Sequence, residues 1–180
     1  MRLIRHYKFG PVHGYKVGWS AVGSPVMSTF FYIHYTHMID TGLSHMRREI
    51  LEIASSHELQ KILLTHHHED HSGNAASISK KLDIPVFGHE QAAHKMKTPY
   101  KILPYQHYMW GKTTPLLMKT VPAVVEGKHV RLIPVETPGH SRDHLAYHDA
   151  ENGILFSGDL YLADEIKFFR SDEMISDLTK

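Results

Sequence analysis

The 180-residue chain contains no cysteine. That absence removes disulfide frameworks, thiolate nucleophiles and sulfur-based zinc sites together, so any metal must be held by nitrogen and oxygen. Charge of one sign is lacking as well. Twenty Lys and Arg against nineteen Asp and Glu leave a net charge of +1, which gives no electrostatic footprint for nucleic acid or an acidic membrane surface. No apolar run is long enough for a membrane span, and the basic opening MRLIRHYKFGP lacks the apolar stretch of a secretory signal. The expected setting is therefore cytoplasmic, and the expected partner is a small-molecule substrate, with no nucleic acid and no membrane. Repeats, low-complexity tracts and linker-like stretches are missing too, so a single domain over residues 1–180 is expected. At 42% hydrophobic residues such a domain can bury roughly 70% of the surface its unfolded chain exposes.

What the chain has in excess is histidine, seventeen residues with none beyond His148. Four of them share six consecutive positions with two carboxylates, His66-His67-His68-Glu69-Asp70-His71, inside LTHHHEDHSG. An isolated run of this kind is usually solvent-exposed, so its surroundings decide its meaning. Tyr15–Val22, Thr29–Ile33 and Met38–Asp40 read as strands, and Met46, Ile50, Leu51, Ile53 and Ala54 recur at helical spacing after a possible cap at Ser44. Lys61–Leu64 reads as a strand, Gly73–Leu82 as a helix, Pro85–Phe87 as a strand and Glu90–Met96 as a helix. Thr98–Val121, with its prolines and with Tyr100, Tyr105, Tyr108 and Trp110, reads as an irregular aromatic segment, a lid or pocket wall. His129–Val135, His144–His148 and Ile154–Phe156 are strand-like, the last two joined by a hairpin loop at Asp149–Gly153, and a helix-like pattern starts at Ser171. The alternation is α/β, and it puts the histidine run just beyond a strand end, where such sheets commonly carry their chemistry.

In extended backbone, residues i and i+2 point the same way, so His66 and His68 can reach one cation while His67 faces away. A turn at Glu69 would bring Asp70 and His71 round to a second cation beside the first. Gly73 permits a close backbone approach, and the helix that follows favours negative charge at its start. Thr137-Pro138-Gly139-His140-Ser141 and Phe156-Ser157-Gly158-Asp159 repeat the logic, each a strand, a glycine turn and one potential ligand.

The order Asp40-Thr41-Gly42, H-x-H-x-D-H, TPGHS and SGD resembles the metallo-β-lactamase superfamily over about Val26 to Asp159. The resemblance implies an αββα sandwich with metal at one edge of two facing sheets. It implies that His66, His68 and His140 bind a first ion, that Asp70 and His71 bind a second, and that Asp159 bridges the two. Asp40 would steady the metal-binding loop by hydrogen bonding from outside the ligand set, with His144 a hydrogen-bonded strand histidine nearby. One or two divalent ions are implied, zinc first, with iron or manganese as alternatives. Two such ions can share a water and ionise it near neutral pH, and Asp70 would hold that nucleophile as the catalytic residue.

The expected activity is hydrolysis of an ester-like bond, in a thioester, lactone or other ester, by the metal-bound hydroxide. The missing cysteine argues against β-lactamase action, and the absence of an added domain and of a basic surface argues against the nuclease branch. THHHEDHSG and TPGHS look like glyoxalase II, but the glutathione-binding region of that enzyme has no counterpart in this sequence. The alternatives are a persulfide dioxygenase-like oxidoreductase with one iron on His66, His140 and Asp159, or a non-catalytic metal-binding fragment. The resemblance also implies one more histidine on the second metal, and none follows Asp159. The sandwich is therefore expected to be incomplete at the C-terminus, with a weaker second metal, and to form a homo-oligomer or to be a shortened form of a longer protein. His34, His37, His45, His57, His89, His94, His107, His129 and His148 have no motif context and are expected at the surface or in loops.

Overall fold

A computed structural model of the chain describes residues 1–160. The expected C-terminal incompleteness, the missing histidine and the helix-like tail from Ser171 all lie outside the described residues. Seven strands form one sheet in sequence order: β1 (Arg2–Phe9), β2 (Val12–Trp19), β3 (Thr29–His34), β4 (His37–Ile39), β5 (Lys61–Leu63), β6 (Val86–Gly88) and β7 (Lys119–Thr120). The first four pair antiparallel and the rest parallel. A second, antiparallel sheet holds β8 (Val125–Gly127), β9 (Val130–Glu136), β10 (Leu145–Asp149) and β11 (Ile154–Phe156). The helices are α1 (Arg47–Ser55), α2 (Glu69–Ser72), α3 (Ala75–Leu82), α4 (Glu90–Lys95) and α5 (Pro104–Trp110).

Strand periodicity explains how the layers form. Ile62 and Leu64 point to one face of the first sheet and join Ile50, Ala54, Ile78, Ala92 and Trp110 in a helix-side core. Leu63, between them, points the other way and joins Ile39, Val12, Leu132, Leu145, Tyr147 and Phe156 in a core between the sheets. A strand covered on both faces needs apolar residues at consecutive positions, and this accounts for the unbroken run Ile62-Leu63-Leu64. Every helix contributing to these two cores among the described residues does so on the outer side of the first sheet. The described layers, helices on one sheet and that sheet on a second, fit an αββα sandwich. No helix among the described residues is long and apolar enough to cross a membrane.

Several sequence expectations need correction. β1 has no counterpart among the expected strands: it is a largely exposed edge strand with basic residues, specified by its hairpin with β2 rather than by an apolar face. The strand expected at Tyr15–Val22 starts at Val12 and ends at Trp19. Ser44 opens a single 3-10 turn, and its hydroxyl donates to the Trp110 carbonyl (3.2 Å) instead of capping α1. The segment after Thr98 is not wholly irregular, because α5 forms there with Pro104 in its first turn and Gln106 Oε1 accepting from the Leu103 N–H (2.7 Å).

His34 and His37 are fully buried rather than at the surface. The first sheet is covered on both faces at β3 and β4, so a polar side chain there must find a partner inside. His34 Nε2 meets Asp149 Oδ2 at 2.7 Å, joining the two sheets. The other seven histidines without motif context are half-buried or exposed.

Candidate metal centre

The chain leaves the first sheet at Leu64, whose N–H donates to the Phe87 carbonyl (2.9 Å). The Thr65 N–H then donates to Asp40 Oδ1 (2.8 Å), and the Thr65 hydroxyl reaches both oxygens of the same carboxylate. Asp40 sits just past β4 with φ +58°, a left-handed conformation that Asp tolerates better than most residues. Beyond Leu64 the backbone bends at Thr65 and again at His67, and His66 and His68 meet each other while His67 turns to Asp143. His68 Nδ1 lies 2.9 Å from His66 Nε2 and 2.9 Å from His140 Nε2, and all three rings are buried.

α2 begins at Glu69 and swings His71 in from another direction. Its Nε2 is 3.1 Å from Asp159 Oδ1 and 3.6 Å from Asp70 Oδ2, while its Nδ1 is 2.8 Å from Asp40 Oδ2. The other oxygen of Asp159 lies 3.3 Å from His140 Nε2. Two groups able to hold a cation result, His66-His68-His140 and His66-His71-Asp159, with ligand atoms in each within 4.8 Å of one another. Asp70 stands beside the second group rather than within it. Tight backbone permits this closeness. A Cβ on Gly73 would meet the carbonyl oxygens of Glu69 and Gly42 at 2.6 and 2.7 Å.

The donor set fits a metal ion. A ring nitrogen offers either one in-plane lone pair or one N–H, so His68 Nδ1 cannot serve both of its imidazole neighbours well. A cation among the three nitrogens would use all three lone pairs. Ligand atoms about 2.0–2.1 Å from a tetrahedral ion stand about 3.3 Å apart, close to the spacing of these nitrogens. Burial, followed by the nearby His71, His68, His144 and His140, pushes His66 well below its ordinary pKa, which keeps a lone pair available. His71 goes the other way: burial lowers it, but Asp159, Asp40 and Asp70 together raise it well above the ordinary value. Asp159 is raised by burial and lowered further by His71, ending below the usual carboxylate range. Three carboxylates around one imidazole thus hold a positive charge at the place a cation would occupy.

His144 lies outside both groups. Its Nε2 accepts the Asp159 N–H (3.0 Å) and its Nδ1 meets the Thr137 hydroxyl (2.8 Å), so it fixes the backbone that presents Asp159. Burial pushes its pKa down to about 4, consistent with Nε2 acting as an acceptor. Sequence reasoning missed Thr65, Asp143, Tyr147 and Asn74. Asp143 accepts from the His67 ring (2.8 Å), Tyr147 Oη donates to the Leu64 carbonyl (2.8 Å), and Asn74 Nδ2 donates to the carbonyls of Thr41 (2.8 Å) and Leu43 (3.0 Å). The only sequence signal for Asp143 was its place three residues after His140.

A profile of the metallo-beta-lactamase superfamily matches residues 31–177. The chain belongs to this superfamily. A probable metallo-hydrolase of Bacillus subtilis, YybB, is 29% identical over 131 residues, covering 72% of this chain and 58% of that protein. A hydroxyacylglutathione hydrolase of Cereibacter sphaeroides is 32% identical over 110 residues, covering 58% of this chain and 35% of the relative. The chain thus matches little more than half the length of the first of these relatives and about a third of the second. Among solved structures, a metallo-beta-lactamase from Pontibacter korlensis superposes with a TM-score of 0.73 at 18% identity, covering 98% of this chain and 81% of that one. TTHA1623 in a di-iron-bound form gives 0.64 at 24% identity, covering 97% and 82%. At these identities the likeness to the superfamily's solved members establishes the fold.

Proposed function

We propose that the chain is a metal-dependent hydrolase of ester-like bonds, with thioesters the first class to test and zinc the first ion. The observation that carries this reading is the placement of Asp159, whose two oxygens lie 3.1 and 3.3 Å from an imidazole of each candidate group. A carboxylate so placed holds two sites side by side. Divalent ions bound there supply Lewis-acid polarisation of a carbonyl and a water that ionises near neutral pH. The chain's own residues do the rest. His66, His68 and His140 hold the first position, and His71 with Asp159 the second. Asp70, at the edge of the second group with its side chain 16% exposed, orients the attacking water. The thioester preference is supported by the hydroxyacylglutathione hydrolases among the relatives. Iron belongs in the test because a structural neighbour carries two iron ions.

The test is metal analysis of the purified protein, followed by stripping and reloading with zinc, iron(II) or manganese(II). Each form is then assayed against a hydroxyacylglutathione, a lactone and a simple carboxylic ester. Chelator-sensitive turnover of at least one of these is expected. No turnover in any loaded form would defeat the proposal.

A further inference from the structure

The middle histidine of the run belongs to neither candidate group, yet it is buried with every polar atom engaged. Its backbone N–H donates to Asp143 Oδ2 (3.0 Å) and its ring Nδ1 lies 2.8 and 3.0 Å from the two oxygens of the same carboxylate. A carboxylate accepts, so Nδ1 carries the proton and Nε2 presents its lone pair to Lys95 Nζ, its other neighbour. The His67 carbonyl accepts from Ser72 Oγ (2.7 Å) and from Tyr100 Oη (3.0 Å).

These bonds have a geometric effect on the metal centre. Two peptide units connect His66 to His68. The first is held through the His67 N–H by Asp143, the second through the His67 carbonyl by Ser72 and Tyr100. The backbone torsions of His67 set the angle between the two imidazoles on either side, and they are fixed from both ends. Asp143 itself lies in the turn that follows His140, a turn closed by the His144 N–H on the Ser141 carbonyl (3.3 Å) and tied to the start of the histidine loop by the Leu145 N–H on the Thr65 carbonyl (2.7 Å).

We propose that Asp143 is a positioning residue of the metal centre: through His67 it sets the spacing of His66 and His68 and locks that loop to the one carrying His140. It touches none of the reacting atoms. This inference rests on the reading that the three imidazoles hold metal. Residues that orient ligands from outside the coordination sphere commonly change metal affinity 10–100-fold when removed.

The experiment compares wild type, D143A, D143N and H67F. Zinc affinity is measured by competition with a chromophoric chelator, the ligand field by the visible spectrum of the cobalt(II) form, and fold stability by urea unfolding of metal-free protein. D143A is expected to weaken zinc binding 10–100-fold and to alter the cobalt bands. D143N should lose less, because its Oδ1 still accepts the His67 N–H while its amide opposes the ring Nδ1–H. H67F removes the ring contacts but keeps the His67 N–H on Asp143, so it should weaken zinc binding less than D143A does. Wild-type affinity and spectrum in folded D143A would overturn the proposal, whatever happens to stability. Should D143A fail to fold, D143N decides: an unchanged affinity and spectrum refute the role, and a weakened site supports it. Absence of zinc and cobalt binding by wild type would instead defeat the proposed function, whereas binding that all variants share would defeat only the role of Asp143.

Discussion

Asp40 is the residue on which charge and geometry can be separated most cleanly. It is 2% exposed and takes four contacts within hydrogen-bond distance: the Thr65 N–H, the Thr65 hydroxyl at both oxygens, and His71 Nδ1 at 2.8 Å. Asn at this position has the same shape and tolerates the same left-handed backbone, so D40N changes chemistry with little strain. Its Oδ1 keeps the bond from Thr65 N–H. Its amide, however, points N–H groups where the carboxylate received the His71 Nδ1 proton. One charge-assisted hydrogen bond is lost, at about 1.5–3 kcal/mol, and relief requires the charged His71 to give up its Nδ1 proton. The proton that remains would sit on Nε2, facing Asp159 at the nitrogen a metal would need. The expected outcome is metal-free protein destabilised by about 2–3 kcal/mol, or about 5–10 °C in Tm for a chain of this size. Affinity for the second metal should also fall by at least about tenfold, with the first much less affected. Urea unfolding and calorimetric metal titration measure the two effects. If D40N unfolds within about 0.5 kcal/mol of wild type and still binds two ions normally, then Asp40 does not fix the proton of His71 on Nδ1.

Other expectations follow from the same contacts. His68→Ala should lose most bound metal while keeping a native circular dichroism spectrum; full metal content in that variant would reject the three-imidazole site. His37 is held down at about 4 by burial first and Lys61 second, against about 6.5 unfolded. The unfolded state therefore binds the extra proton between those values, and stability is lost as pH falls through that window, by up to about 3 kcal/mol from this residue. H37Q should show a shallower decline in urea-unfolding free energy between pH 7 and pH 4, and equal slopes would refute the assignment. Asp149→Ala removes the acceptor shared by His34 Nε2, the Glu151 and Asn152 N–H groups and Asn152 Nδ2. It should cost about 3–5 kcal/mol in thermal or urea unfolding, and a loss under about 1 kcal/mol would show that water replaces the carboxylate easily.

The parts of this fold legible in the sequence are those governed by local periodicity. The i, i+2 spacing after Leu64 separates His66 and His68 from His67, and the side chains follow it although the backbone bends at Thr65 and His67 instead of staying extended. Ile62-Leu63-Leu64 likewise announces a strand covered on both faces. What periodicity cannot show is which distant residue meets a given polar atom. His67 reads as a residue turned away from the centre, and its partner Asp143 lies on another loop with nothing between them to mark the pairing. His34 and Asp149 are a similar case, since each is unremarkable locally and the pair exists only once the sheets dock. β1 is invisible to pattern because an edge strand with basic residues has no buried face to mark it. The short α5 is hidden by prolines that read as loop punctuation, although Pro104 stands where a helix accepts proline.

The order in which the side chains of the centre leave the ribosome bears on how metal is acquired. Asp40, His66, His68 and His71 emerge with the first sheet, while His140 and Asp159 come only with the strands of the second. A nascent chain therefore displays an incomplete set of imidazoles for much of its synthesis, and an ion caught then would be held by two or three nitrogens without the closing carboxylate. Stable occupancy has to await docking of the two sheets, a long-range event that comes late in folding. Metal held by both groups would thus be loaded by an already folded chain. In a cell where several metals compete, the ion acquired would then be set by which of them is available to that finished site rather than by whichever the emerging histidines meet first.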